Sequence, residues 1–353
     1  MQSLNQRVRK VINASGRMTH LGVSLPSQGV KKAMDEALGN YYVMEELYAQ
    51  AGAYLAELLD TSDACVTGSA SAGIVLSLTA MRKLSGKNEV VLMKGHNINY
   101  GIPVSLAIET ANCKAVEAGS VNKCTVEDLA AACSENTAAV LYVKSHHCTQ
   151  KGMLSLAEII TFAHKKDIVV IVDAAAELDL FKYYRAGADC VIYSGAKAVC
   201  GPTSGFVLCQ SQEVGKMMRA LVYDIGRILK VGKETIFGLC EAVREYLENQ
   251  PVEPVSEIDI DAFVAKVNEI KGLRASKTWD EAGRPIFRAS IKVDADEFGM
   301  DAETLTKKLE SGNPAIYTRN HQLNLGILAV DSRPLRDKSD LDLILKRILE
   351  VKS

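Results

Sequence analysis

The sequence predicts an α/β fold: a large domain on a mostly parallel sheet, followed by a small C-terminal α+β domain. Three observations predict it. Short apolar runs recur at 64–66, 89–93, 114–117, 138–143, 168–172, 190–193 and 206–209, most of them separated by helical patterns. Strands alternating with helices imply right-handed crossovers and a parallel sheet, here seven-stranded. After Gln250-Pro251-Val252-Glu253-Pro254 the composition turns acidic and alternating, which sets a boundary near residue 252. The predicted organisation is an N-terminal arm over 1–26, a large domain over 27–252 and a small domain over 253–353.

The arm, VINASGRMTHLGVSLP over 11–26, is broken by Gly16, Gly22 and Pro26 and reads as extended chain. Ser27–Leu38 and Val43–Leu59 have helical spacing, the second aligning Leu47, Leu55, Leu58 and Leu59. A short strand, Ala64-Cys65-Val66, runs into Thr67-Gly68-Ser69-Ala70-Ser71-Ala72-Gly73 and an apolar helix to about Leu84. Small residues at such a turn leave backbone N–H groups at the positive end of a helix, which suits a phosphate. The turn matches neither the Walker pattern nor G-x-G-x-x-G, and an ordinary βα turn has the same composition. Thr125-x-x-Asp128 and Ser155-x-x-Glu158 read as capping boxes. The tail predicts helices near 260–271, 301–311 and 337–350, with strands near 286–292, 315–318 and 323–330.

Composition narrows the function. Hydrophobic residues at 48% and charged at 24% are globular values. The 41 basic and 43 acidic residues leave a net charge of −2, no footprint for nucleic acid. No apolar run nears the roughly 20 residues that cross a bilayer, and the N-terminal stretch lacks the apolar segment of a secretory signal, so a cytoplasmic location is expected. Nine cysteines without a C-x-x-C pair read as reduced, mostly buried thiols.

Parallel sheets bind ligands beyond the carboxyl ends of their strands. There, Ile168–Val172 ends in Asp173, and Cys190–Tyr193 ends in Ser194-Gly195-Ala196-Lys197. An acid and a lysine about one βα unit apart are the equipment for pyridoxal phosphate. The carboxylate keeps the pyridine nitrogen protonated, and the lysine captures the aldehyde as a Schiff base, then serves as base at Cα once displaced. For Asp173 a strand-end cap is the structural alternative. Ser194 joins Ser69 and Ser71 as a hydroxyl donor for the cofactor phosphate, with Gly68 and Ala70 in the same turn. Ala175 and Ala176 are small enough for a ring to lie on their backbone. His96, in Lys94–Gly101, is planar and suited to stack on that ring, although loop histidines are more often structural. In Lys144-Ser145-His146-His147-Cys148, adjacent histidines on extended chain point to opposite sides and no Glu or Cys lies at ligand spacing. No metal is predicted; His147 is taken as facing the substrate.

VINASG, DAAAE and above all SGAKAVCGPTSG together resemble the selenocysteine synthase-like branch of the fold-type I pyridoxal-phosphate enzymes, over about residues 10–250. The resemblance implies pyridoxal 5′-phosphate anchored on Lys197. It implies β-elimination of water from a phosphorylated 2-amino sugar acid, giving a 2-keto-3-deoxy sugar acid phosphate and ammonia. His96, His147 or a water then protonates the leaving hydroxyl. Arg319, in Ile316-Tyr317-Thr318-Arg319, lies where fold-type I enzymes hold a substrate carboxylate, and Arg17, Lys151 and Arg185 are candidates for the sugar phosphate. Lys233 and Thr235 are residues that the family brings to the cofactor phosphate, from a partner subunit, so a homodimer or a multiple of it is implied. Bacterial selenocysteine synthases carry an N-terminal extension that grips transfer RNA; here the shared motif begins by Val11, and no nucleic-acid substrate is expected. The competing readings are another reaction on a small amino acid, such as transamination or β-replacement, the chemistry of a seryl-tRNA selenium transferase, and a non-catalytic scaffold. Retention of both Lys197 and Asp173 argues against the scaffold.

Overall fold

A computed structural model describes residues 3–249, 254–280 and 283–352; the boundary predicted at 252 lies outside the described residues. The chain divides into two compact units, one of 26–250 and one joining 1–25 to 251–353. Its elements in order are β1 (Val11–Ala14), α1 (Gln28–Leu38), α2 (Met44–Leu59), β2 (Asp63–Thr67), α3 (Ala70–Ser85), β3 (Glu89–Met93), α4 (Val104–Thr110) and β4 (Lys114–Ala118). They continue with α5 (Val126–Ala132), β5 (Thr137–Val143), α6 (Leu156–His164), β6 (Val169–Asp173), α7 (Lys182–Arg185), β7 (Cys190–Ser194), β8 (Gly205–Cys209), α8 (Gln212–Ala220) and α9 (Lys233–Glu248). The remainder is α10 (Glu257–Asn268), β9 (Leu273–Trp279), β10 (Phe287–Val293), α11 (Ala302–Ser311), β11 (Ala315–Thr318), β12 (Ile327–Asp331) and α12 (Lys338–Lys352).

The larger unit is organised on a seven-stranded sheet in the order β2-β8-β7-β6-β5-β3-β4. Strands β4, β3, β5, β6 and β7 pair in parallel, whereas β8 runs antiparallel between β2 and β7. Because helices cover both faces, the central strands read as unbroken apolar runs rather than alternating ones, and Val170, Ile171 and Val172 are fully buried. One core packs α1, α2, α6 and α9 on one face; another packs α3, α4 and α8 on the other. Both predicted capping boxes form, Thr125 with Asp128 and Ser155 with Glu158. All nine cysteines are free, and six of them are buried. Among the described residues no helix is long and apolar enough to cross a membrane.

In the second unit α10, α11 and α12 cover one face of the antiparallel sheet β9-β10-β12. The arm is not simply extended chain. Its residues 11–14 form β1, paired in parallel with β11 from Val11↔Ala315 to Ala14↔Thr318. Two further differences have local causes. Strand β9, LRASKTW, was not predicted because polar and charged residues interrupt any apolar run. The predicted run 323–330 splits at Gly326, whose φ of 73° ends a 3-10 turn and delays β12 to Ile327.

Candidate active site

The carboxyl ends of neighbouring strands form one row. Asp173 at the end of β6 lies opposite Val143 of β5, and β7 beside it ends in Ser194. Asp173 is half-buried by exposed area yet packed round by protein atoms. Burial pushes its carboxyl above the usual range, while the Lys197 charge and the Ala175 N–H, donating to Oδ1 at 3.1 Å, pull it back. The predicted acid and lysine are therefore brought together, close enough to act on one another electrostatically.

Lys197 rides on a rigid bracket between β7 and β8. Ser194 N–H donates to Ala175 O at 3.3 Å, Gly195 N–H to Ser204 O at 2.9 Å, and Gly201 N–H to Gly195 O at 2.8 Å. At Gly195 a Cβ would sit 2.2 Å from Ser204 Oγ, so the crossing tolerates no side chain. Strand β8 fastens this bracket to the phosphate-type turn, because Gly205 lies opposite both Ser194 and Thr67.

The turn itself has the predicted form. Ser69 caps α3, its Oγ accepting from Ala72 N–H at 3.0 Å, and Gly68 to Ser71 are all half-buried while β2 behind them is buried throughout. The first-turn N–H groups of a helix have no intrahelical partner and remain available to an anion. Backbone crowds this turn from two sides. A Cβ on Gly68 would lie 2.8 Å from Leu229 O, and one on Gly205 2.5 Å from the Ser69 carbonyl carbon. A reachable helix N-terminus in a glycine cradle, a deep carboxylate and an adjacent lysine together fit pyridoxal phosphate.

His96 follows β3 and is 3% exposed. Its Nδ1 accepts from Val143 N–H at 3.3 Å, and its ring meets Tyr142 edge-on at 4.9 Å. Burial, reinforced by the nearby Lys144 charge, pushes its pKa down to about 4, so the imidazole is neutral near pH 7. A neutral ring suits packing better than supplying an acid. His147 is exposed, its ring 3.7 Å from that of Tyr100. The expectation that His146 and His147 point apart is corrected. Residues 146–147 form a turn rather than extended chain, and the two rings lie 3.8 Å apart.

Several candidates lie elsewhere. Lys233 Nζ donates to Leu38 O at 3.3 Å and to Asn40 O, and sits 5.3 Å over the Tyr41 ring. Carbonyls at the carboxyl end of α1 attract a cation. Within this chain the Lys233 amine is therefore held away from the Gly68 turn, which the backbone of Leu229 and Lys230 touches instead. Thr235 is half-buried in the first turn of α9. Arg185 is exposed, 4.5 Å over the Phe181 ring, at the end of α7 that leads into the start of β7. That is the amino-terminal end of the strands, opposite the end that leads to Lys197, and there Ser62 N–H, just before β2, donates to Tyr184 Oη at 2.7 Å. Lys151 is exposed. Arg17 and Arg319 belong to the other unit, each half-buried. The sequence reading missed Lys144, whose Nζ donates to Gln150 Oε1 at 3.2 Å, and Cys148, whose thiol burial and then Asp173 push up to about 12. Both stand inside the KSHHC string, where the histidines drew the attention.

Residues 11–299 match the family described as SelA: L-seryl-tRNA selenium transferase. The chain is 38% identical to the D-glucosaminate-6-phosphate ammonia lyase of Salmonella typhimurium (strain 14028s / SGSC 2262), over 98% of this chain and 96% of that protein. It is 36% identical to a 5'-C-glycyluridine monooxygenase-decarboxylase of a Streptomyces species, over 97% of this chain and 89% of that one. A solved structure of D-glucosaminate-6-phosphate ammonia-lyase superposes with a TM-score of 0.90 at 37% identity, covering 100% of this chain and 98% of that one. A fold-type I sheet with Asp173 and Lys197 at adjoining strand ends, and a family match over most of the length, converge: the chain belongs to the L-seryl-tRNA selenium transferase family of pyridoxal 5′-phosphate enzymes.

Proposed function

We propose that the protein is an ammonia-lyase that converts D-glucosaminate 6-phosphate to 2-keto-3-deoxygluconate 6-phosphate and ammonia. Water leaves across C2 and C3, and water then replaces the amine. One observation carries the chemistry: Asp173 ends β6, and the adjoining strand β7 ends in Ser194 and leads to Lys197, near enough for its charge to pull the Asp173 carboxyl down against burial. Near-full-length identity to the Salmonella lyase supports the substrate. Bound pyridoxal phosphate supplies an electron sink for the carbanion at Cα.

The chain's own residues do the rest. Lys197 would hold the cofactor covalently and, once freed, its amine would move the proton at Cα. Asp173 would keep the ring nitrogen protonated, and the N–H groups of Ala70 and Ser71, with the hydroxyls of Ser69, Ser71 and Ser194, would hold the phosphate. Ala175 leaves room for the ring, and neutral His96 packs on it. His147, exposed beside Tyr100, is the remaining candidate to protonate the departing hydroxyl. Arg319 supplies one cation for the doubly anionic substrate, with Arg17 and Lys151 as further candidates. The enzyme acts in the cytoplasm as a homodimer or a multiple of it, with Lys233 and Thr235 turned toward a partner's cofactor.

The test is an assay of ammonia and keto acid with D-glucosaminate 6-phosphate, oxygen uptake being followed in parallel. Both products should form without oxygen consumption, and Lys197→Ala should lower the rate by at least about 10³-fold. Borohydride should fix the cofactor to Lys197. The Streptomyces relative supports a second reading, an oxygen-consuming decarboxylation, which oxygen uptake without ammonia would favour.

A further inference from the structure

Three fixed points orient a planar ring. Pyridoxal 5′-phosphate carries four polar groups, and the placement proposed above takes up three of them: the phosphate at the Gly68–Ser71 turn, the ring nitrogen at Asp173 and the aldehyde at Lys197. The fourth, the ring hydroxyl, follows from covalent structure, because it lies across the nitrogen–aldehyde axis from the carbon that bears the phosphate. The sheet gives that direction an address. The phosphate turn packs on Gly205 of β8, Lys197 follows β7, Asp173 ends β6, and the next strand outward is β5. The hydroxyl flank therefore faces the end of β5, about 5 Å further along the sheet.

Lys144 occupies that place. It directly follows β5, and its backbone N–H donates to Asp173 O at 2.9 Å, which locks it one strand beyond Asp173. Leu141 and Val143 of β5 enter the core with α3, whereas Val140 and Tyr142 pack into the opposite core. Alternation puts Lys144 in the second series, on the side of His96, whose ring meets Tyr142. From there the ammonium is near enough to lower the pKa of buried His96 and of the Cys148 thiol. Protein fills little of its own shell. The half-buried side chain makes one hydrogen bond, to the neutral Oε1 of exposed Gln150 at 3.2 Å, and among the described residues no carboxylate lies within ion-pair distance. Asp173 answers instead to the Lys197 charge and the Ala175 N–H, and Glu177 accepts from Tyr183 Oη. Lys94, the lysine that follows β3, differs in being paired with Glu117 at 3.0 Å. A partly desolvated ammonium with a single neutral acceptor gains most from an anion.

We propose that Lys144 is a further cofactor-binding residue, its ammonium facing the ring hydroxyl of pyridoxal 5′-phosphate. Beside a protonated ring nitrogen that hydroxyl ionises readily, and the lysine holds it as the anion. Gln150, whose Nε2 donates to Ser145 O at 2.7 Å and to Cys148 O at 3.1 Å, steadies the ammonium at this place. The inference rests on the placement of the cofactor proposed above and not on the lyase reading.

Equilibrium dialysis of the full-length protein, freed of cofactor, against pyridoxal 5′-phosphate and against its 3-O-methyl derivative tests the contact without any assay of activity. Methylation removes the anion and leaves the phosphate, ring nitrogen and aldehyde in place. Lys144→Met should weaken pyridoxal 5′-phosphate about tenfold or more and the methylated compound within about twofold. Lys144→Arg, which keeps the charge, should hold pyridoxal 5′-phosphate within about threefold of wild type. Circular dichroism checks that the variants fold, and Lys144→Gln serves in place of Lys144→Met if that one does not. Equal weakening of the two compounds marks a merely structural lysine and overturns the inference; so does unchanged affinity for pyridoxal 5′-phosphate, or a wild-type protein that binds both compounds equally. Borohydride labelling of Lys197→Ala tests the placement separately. Label kept at the wild-type level there overturns the placement and the inference with it, whereas loss of label together with equal weakening overturns the inference alone.

Discussion

At the scale of single residues, His96 shows how burial selects a role. Its pKa in the folded protein, about 4, lies below the roughly 6.5 of an unfolded histidine, so the folded state resists protonation. Its contribution is therefore complete above pH 6.5 and is lost as pH falls toward 4, a loss on the order of 3 kcal/mol. Urea midpoints measured across that window should fall with acid in the wild-type protein and fall less, by one proton's worth of slope, in His96→Asn. An identical slope in the two proteins would remove the burial argument. The site was legible at this scale where chemistry and position coincide in the string, as at Asp173, Lys197 and the Gly68–Ser71 turn. Where Lys233 and Arg185 reach was not legible, because a long cationic side chain goes to whatever lies within its reach, here helix-end carbonyls and an aromatic ring of its own chain.

Among elements, the βα turn and the lysine bracket depend on glycines more than on the residues that do chemistry. Gly205→Ala would drive a methyl group into the Ser69 backbone at 2.5 Å, and neither backbone has slack to yield. The substitution should cost about 1–3 kcal/mol in stability. It should also weaken pyridoxal-phosphate retention, read as loss of visible absorbance on dialysis; a stable variant that keeps its colour would show that the crossing is looser than described. The five inner strands were readable because burial on both faces makes each one a nearly continuous apolar run. Strand β9 was not, since its polar side chains spoil that signal.

For the whole molecule, the larger surface question is association. Tyr41 is completely exposed, with exposed Leu38 and Val43 beside it and the Lys233 amine over its ring. Light scattering should report at least twice the mass of one chain, and Tyr41→Glu should shift the population toward monomer and lower activity together. Full activity in a monomer would exclude a site shared between subunits. The antiparallel strand β8 has a consequence for the order of assembly. Its pairing with β7 closes a short local hairpin, whereas its pairing with β2 joins chain segments far apart in sequence, and such distant contacts pay their loop-closure entropy first. The lysine can thus be presented early in folding, but the neighbouring helix N-terminus joins it only after that distant pairing forms. Capture of the cofactor is then a late folding event, and the growth of its colour during refolding is a clock for completion of the sheet.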